Sequence, residues 1–134
     1  MTDVLIDTNV LVYAYDKSSV YHQRCVGLLL NSSLNFFCAS KSVSEYFAVC
    51  TKMNYPVAGF TAFFNQAEQY LTVLHTSHAS IRQFKHLFSK YLPKGNKVYD
   101  VEIASVMLAS GVQEIATINV VDFQNMPEVK LYQF

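Results

Sequence analysis

The stretch Val4-Leu5-Ile6-Asp7-Thr8-Asn9-Val10-Leu11-Val12-Tyr13 constrains this chain more than any other. Val4 to Ile6 has the length and β-branched content of a buried parallel strand. Hydrophobicity resumes at Val10 and runs to Tyr15 with no Gly or Pro break, as a helix would. A strand passing directly into a helix puts Asp7 at the carboxyl end of a central strand, where open α/β sheets bind their ligands. Taken alone, Asp7 or Asn9 reads equally as a cap on the following helix. The choice depends on where the other acids fall.

The rest of the chain alternates in the same way. Tyr21 to Leu30 reads as a helix, Phe36 to Ala39 as a buried strand, and Ser42 to Met53 as a helix. Pro56 opens a further aromatic-rich helix to about Tyr70, forming a helical hairpin with the one before it. Leu71 to Leu74 is a third strand. The helix from about Ser77 to Tyr91 has Ile81, Phe84, Phe88 and Tyr91 as its expected core stripe, with Arg82, Lys85 and His86 on the other face. Leu92 to Lys97 is a loop, and Val98 to Ser110 a helix that Gly111 stops. Ile115 to Thr117 is a short strand, Asn119 to Gln124 a turn, and Val129 to Tyr132 a possible edge strand. Strands alternating with helices predict an α/β fold, a three-layer α/β/α sandwich with a mostly parallel sheet of four to five strands. Right-handed crossovers then gather the strand-to-helix loops on one rim.

At 134 residues the chain is expected to form one domain, residues 1–134, able to bury a sizeable core. It is 51% hydrophobic and 15% charged with net charge zero, which excludes a disordered chain and any bulk field drawing it to polyanions. Cys25, Cys38 and Cys50 are odd in number and set among apolar neighbours, so free buried thiols in a reducing compartment are expected. With no signal-peptide pattern and no apolar run of membrane length, the expected location is cytoplasmic, away from the membrane. The apolar surplus in Tyr46 to Val49 and Val57 to Phe64 predicts a protein interface on the hairpin.

Four acids stand apart from Asp3, Asp16, Glu68, Glu102, Glu114 and Glu128, which read as ordinary. Glu45 lies in a segment apolar nearly all round, although Ser42 and Glu45 also have capping-box spacing. Asp100 shares a helical stripe with Ile103, Ala104 and Met107, near the amino end where the dipole favours an anion. Asp122 follows the fourth strand, and Asn119 to Asp122 also reads as a small cap pair. Asp7, Glu45, Asp100 and Asp122 all occur at a strand's carboxyl end or a helix's first turn, and those places converge on one rim. Four clustered carboxylates cannot all stay ionised unaided. The arrangement asks for a hard divalent cation with oxygen ligands, Mg²⁺ or Mn²⁺, and the matching chemistry is hydrolysis of a phosphodiester by metal-activated water.

These residues resemble the PIN-domain ribonucleases, most closely the VapC-like toxins of type II toxin-antitoxin pairs. The likeness runs through Ile6-Asp7-Thr8-Asn9-Val10-Leu11, Val43-Ser44-Glu45, Tyr99-Asp100-Val101-Glu102-Ile103-Ala104 and Thr117-Ile118-Asn119-Val120-Val121-Asp122-Phe123. Each motif is short, and their order and spacing make the combination specific. The resemblance implies a Mg²⁺- or Mn²⁺-dependent endoribonuclease acting on RNA, a homodimer, and inhibition by a small antitoxin protein. It gives Asp7, Glu45 and Asp100 the three main acidic positions, with Asp7 and Asp100 as metal ligands, and leaves the fourth position to Asn119 or Asp122. Thr8, Asn9, Thr117 and Asn119 take supporting or substrate-orienting roles, and His22 matches a frequent family histidine or is a plain surface residue. Leu71 to Tyr99 carries Arg82, Lys85, Lys90, Lys94 and Lys97 and no acid, which suits either phosphate contact or a solvated helix face. Two rivals stand beside this reading. One is phosphoryl transfer through an aspartyl intermediate at Asp7, which lacks a second nearby acid and a paired lysine motif. The other is a PIN-like module that binds RNA or a partner without cleaving it.

Overall fold

The computed structural model describes residues 1–134. Strand β1 (Thr2–Ile6) leads into α1 (Thr8–Tyr15) and α2 (His22–Leu29). There follow β2 (Leu34–Ala39), α3 (Ser40–Lys52), α4 (Val57–Glu68) and β3 (Leu71–Leu74). Next come α5 (His78–Tyr91), α6 (Lys97–Ala109), β4 (Glu114–Ala116), a 3-10 turn (Val120–Asp122) and β5 (Lys130–Leu131). The five strands form one sheet in the order β3-β2-β1-β4-β5, and every pair is parallel. This is the expected α/β sandwich.

The chain builds the sheet outward from β1 in both directions, so helices land on both faces. Alternation along β1 divides its side chains: Val4 and Ile6 enter one core, with α1–α4, and Leu5 enters the other, with α5 and α6. All three are fully buried. The first core is aromatic. Tyr46, Phe47, Phe60 and Phe64 pack with ring centroids 5.4–6.3 Å apart, and the Tyr46 hydroxyl donates to the Phe60 carbonyl at 2.7 Å. Helix α4 approaches α1 so closely that a Cβ at Gly59 would stand 2.6 Å from the Tyr15 hydroxyl. The second core is mainly aliphatic, built on Val101, Ala104, Met107, Val112 and Ile115 with Phe123 buried among them.

Three local expectations need correction. Helix α3 begins at Ser40 behind Ala39, so Ser42 lies inside it with its buried hydroxyl unpartnered, and no capping box joins Ser42 to Glu45. On α5 the buried positions are Ser80 and Leu87, with Phe84 and Tyr91 partly buried against the aliphatic core. Ile81 and Phe88 are exposed. The stripe is displaced because Ser80 completes a capping box with Ser77 and so enters the interior with its hydrogen bonds satisfied. On the hairpin, Tyr46, Phe60 and Phe64 are core, and the exposed apolar residues are Val49, Met53 and Val57. Cys25, Cys38 and Cys50 are free and buried, and burial pushes the Cys25 and Cys38 thiols up to about 11. No helix is long and apolar enough to cross a membrane.

Candidate metal centre

The strand order changes direction at β1, and the crevice beside its carboxyl end is where a sheet of this kind holds a ligand. Asp7 ends β1, with its amide donating to the Ala116 carbonyl of β4 at 3.0 Å. Its side chain caps α1 by accepting from the Thr8 amide at 2.9 Å. The capping reading and the site reading are therefore both true of one residue. Asp7 Oδ2 also accepts from Thr117 Oγ1 at 2.8 Å and from Asn9 Nδ2 at 3.3 Å.

Asn9 and Thr117 form a clasp between α1 and the segment after β4. Asn9 Nδ2 donates to Thr117 Oγ1 at 3.2 Å, and Asn9 Oδ1 accepts from the Ile118 amide at 3.1 Å. The Asn119 amide donates to Thr117 Oγ1 at 3.1 Å. A hydroxyl has one proton and two lone pairs, so with two donors already facing it Thr117 must give its proton to Asp7. Glu45 is held separately, accepting from Thr8 Oγ1 at 3.0 Å.

Asp7, Glu45, Asp100 and Asp122 all line one cavity of about 640 Å³, together with Thr8, Asn9 and Asn119. Thr117 stands behind Asp7 rather than in the wall. The cavity wall contains no Lys, Arg or His. Asp7 is only 9% exposed, and burial raises its pKa, opposed by the hydrogen bonds from Thr117 and Thr8 and reinforced by the charges of Glu45 and Asp122. Asp100, in the first turn of α6, is pushed up to about 6 by burial and then by Asp122 and Asp7, with Lys97 pulling the other way. These mutual influences place the carboxylates within electrostatic reach of one another.

The cavity extends past the acids in a direction that sequence reasoning missed. Its far end holds Asp16, whose Oδ2 accepts from the Tyr55 hydroxyl at 2.7 Å, and its walls include Tyr13, Val49 and Met53. Asp16 had read as an ordinary turn acid, and nothing near it in the sequence announces Tyr55. His22 does not line the cavity, and its Nδ1 lies 3.0 Å from the Tyr13 carbonyl oxygen. Of the basic run, Arg82, Lys85, Lys90, Lys94 and Lys97 are exposed, and Lys90 pairs with Glu128 at 2.7 Å. Glu102 is paired with Lys41 at 3.2 Å rather than free in solvent.

The donor set is entirely oxygen, which suits a hard cation. No three or more His, Cys, Asp or Glu side chains are arranged to hold one ion by themselves. That does not conflict with Mg²⁺, which is usually held through one or two carboxylates plus water and substrate phosphate rather than in an all-protein cage.

Comparison with known proteins agrees with this fold. The PIN domain family model matches residues 4–127. The structure resembles VapBC2 from Rickettsia felis bound to a DNA fragment from their promoter, with TM-score 0.74, 20% identity and 99% of each chain covered. It also resembles Mycobacterium tuberculosis VapC20, described as a Sarcin-Ricin loop cleaving toxin, with TM-score 0.72, 14% identity, and 95% of this chain and 98% of that one covered. DNA-bound VapBC from Salmonella typhimurium gives TM-score 0.73 at 19% identity, with 98% of each chain covered. Among curated protein sequences there is no match. At these identities the structural likeness is one of fold, and the family model spans nearly the whole sequence: the chain belongs to the PIN domain family.

Proposed function

We propose that this chain is a single PIN domain, residues 1–134, acting in the cytoplasm as a Mg²⁺- or Mn²⁺-dependent endoribonuclease, the toxin of a toxin-antitoxin pair. The observation that carries the reading is one cavity faced by Asp7, Glu45, Asp100 and Asp122 with no basic side chain in its wall. Such a group of carboxylates is useful when a cation is brought to it, and costly otherwise.

Asp7 and Asp100 are the residues that would hold the ion. When bound, a divalent cation supplies Lewis acidity toward a phosphoryl oxygen and acidifies water. The protein's own part is orientation. Thr117 and Asn9 saturate Asp7 Oδ2, which leaves Oδ1 as the oxygen with a free lone pair directed to other uses. Thr8 fixes Glu45, and through the clasp Asn9 sets the position of the segment bearing Asn119 and Asp122. Of the two candidates for the fourth acidic position, Asp122 fits better, since its charge raises the pKa of both Asp7 and Asp100. RNA as substrate is supported by the family resemblance and by the structural neighbour described as a Sarcin-Ricin loop cleaving toxin.

The neighbours described as VapBC and as a toxin-antitoxin complex support a small antitoxin as partner, and the family resemblance a homodimer. The exposed apolar side chains of Val49, Met53 and Val57 are available for such contacts. Incubation of the purified protein with single-stranded RNA in chelator, Mg²⁺ and Mn²⁺ tests the reading. Cleavage only with a divalent ion supports it. RNA binding without cleavage under every metal condition replaces it with the non-cleaving module.

A further inference from the structure

The acid cavity sets an electrostatic problem that it does not solve. Five carboxylates line it, Asp16 included, and no basic side chain does. A cation can neutralise one phosphate, but the flanking phosphates of a polyanion still meet a negative wall. The chain has net charge zero, so no general field compensates. A polyanion seated at this cavity would call for a specific cationic subsite beside the acids.

A second cleft opens on the same rim, where β2 and β3 end. Its volume is about 460 Å³, and Ser40, Lys41, Ser44 and Thr76 line it with Glu102 and Ile103. Ile103 also lines the acid cavity, so the two are contiguous. Lys41 stands at the junction: its Nζ lies 3.1 Å from the ring centroid of Tyr99, itself part of the acid cavity's wall. The ammonium group is 3.2 Å from Glu102 Oε1, and both side chains keep solvent access, 32% for Lys41 and 41% for Glu102. A solvated pair of this kind is weak, and a phosphate can displace its carboxylate at little cost. The Tyr99 ring holds the ammonium in place whichever anion it faces.

We propose that Lys41, with the hydroxyls of Ser40 and Thr76 lining the same cleft, forms a subsite for a backbone phosphate flanking the scissile bond of RNA, and that Glu102 occupies the lysine until RNA arrives. The proposal rests on the nuclease reading of the acid cavity. It names a substrate-binding residue and a competing acid, neither of which belongs to the carboxylate group.

The test is steady-state cleavage of a short single-stranded RNA by the Mn²⁺-loaded protein across a range of KCl, with Lys41→Ala, Lys41→Arg, Glu102→Gln, Lys97→Ala and Lys130→Ala. Lys130 begins β5 at the amino end of the sheet, away from the rim, and serves as control. Lys41→Ala is expected to raise KM about three- to tenfold at low salt and to make the logarithmic salt dependence of kcat/KM shallower by about 0.7, the loss of one single-strand phosphate contact. Lys41→Arg restores both. Glu102→Gln lowers KM about twofold, because the competitor loses its charge; a merely structural ion pair would give no change or a rise. Unaltered KM and salt slope in Lys41→Ala, or a slope change found in Lys97→Ala instead, overturns the subsite while the nuclease reading stands. Absence of any cleavage by wild type overturns the nuclease reading and the subsite with it.

Discussion

At the β1–α1 junction the carboxylate of Asp7 accepts hydrogen bonds from Thr8, Asn9 and Thr117, whereas in the first turn of α6 the carboxylate of Asp100 is governed by burial and the charges of its neighbours. Both face one cavity, and burial raises both pKa values. The difference lies in what would change on removing the charge. Asp7 is part of the joint between two strands and a helix, so its geometry is set whether or not an ion is present. Asp100 is buried and repelled by Asp122 and Asp7 with only Lys97 opposing them, so a proton or a cation would relieve it. One corner is fixed by hydrogen bonds and the other is dominated by burial and charge.

The largest expected effect treats the two corners alike. Asp7→Asn and Asp100→Asn should each reduce divalent-dependent RNA cleavage by at least about a hundredfold, since each removes an oxygen anion from the cation's surroundings. Stability should separate them. Asp7→Asn places an amide donor against Thr8, Asn9 or Thr117, all donors to that carboxylate, and should cost about 1–3 kcal/mol. Asp100→Asn should raise the melting temperature in chelator. Wild-type cleavage by either variant, or lower stability of Asp100→Asn in chelator, would break the contrast.

Next in size is the response to the ion itself. Mn²⁺ at about a hundred times its dissociation constant should stabilise the native state by roughly 2.7 kcal/mol, several degrees in melting temperature, if one site binds only the folded protein. Asp100→Asn should shrink that shift. A helix-capping acid gives the opposite pattern, losing about 0.3–1 kcal/mol with or without metal.

The Asp7 corner alone is probed by Thr117→Val, which removes the hydroxyl bridging Asp7, Asn9 and the Asn119 amide. A loss of about 1–3 kcal/mol is expected, equal in chelator and in metal, measured by denaturant unfolding. A loss seen only with metal would mean that the clasp serves the ion and not the joint.

The smallest effect is a pH slope. The pKa of Asp100 is about 6 in the folded state, above the ordinary value of 3.8, so the folded protein binds the extra proton between them. Stability in chelator should therefore fall as pH rises from about 4 to about 6 and then level off, and the burial of Asp7 acts in the same direction. Glu128 works oppositely: against the cost of burial, Lys90 and Tyr91 hold it down to about 2, so its contribution is lost as pH falls from about 4.5 towards 2. Thermal melts across this range should be shallower above pH 4 for Asp100→Asn, with the Asp7 contribution remaining, and shallower below it for Glu128→Gln. A wild-type profile that rises between pH 4 and 6 in chelator would reverse the sign assigned to Asp100.

Much of the fold is legible in the sequence because strands buried on both faces are continuous apolar runs, and Val4 to Ile6 or Phe36 to Ala39 can hardly be anything else. Asp7, Asp100 and Asp122 are legible because strand ends and helix first turns of a parallel fold meet at one rim, whereas Glu45 lies beyond the first turn of α3, which begins at Ser40, and reaches the cavity from its second turn. What escapes notice depends on partners far along the chain. Ser80 looks polar until Ser77 satisfies it, Asp16 looks idle until Tyr55 reaches it, and Lys41 looks like any surface lysine until Tyr99 and Glu102 close around it. Thr8 reads as a helix opener, and its bond to Glu45 spans 37 positions that carry no pattern.

The central place of β1 has a kinetic consequence. Its neighbour β2 lies about thirty residues along the chain, but its other neighbour β4 pairs Ile6 with Ala116, across more than a hundred residues. Until that distant segment docks, β1 presents an apolar strand with one open edge, a template for pairing with another chain. Closing so long a loop is slow compared with forming the local hairpins and helices. The β1–β4 junction that holds Asp7 therefore completes itself late. During that interval the edge of β1 is exposed to aggregation, and Asp7 has yet to meet Thr117.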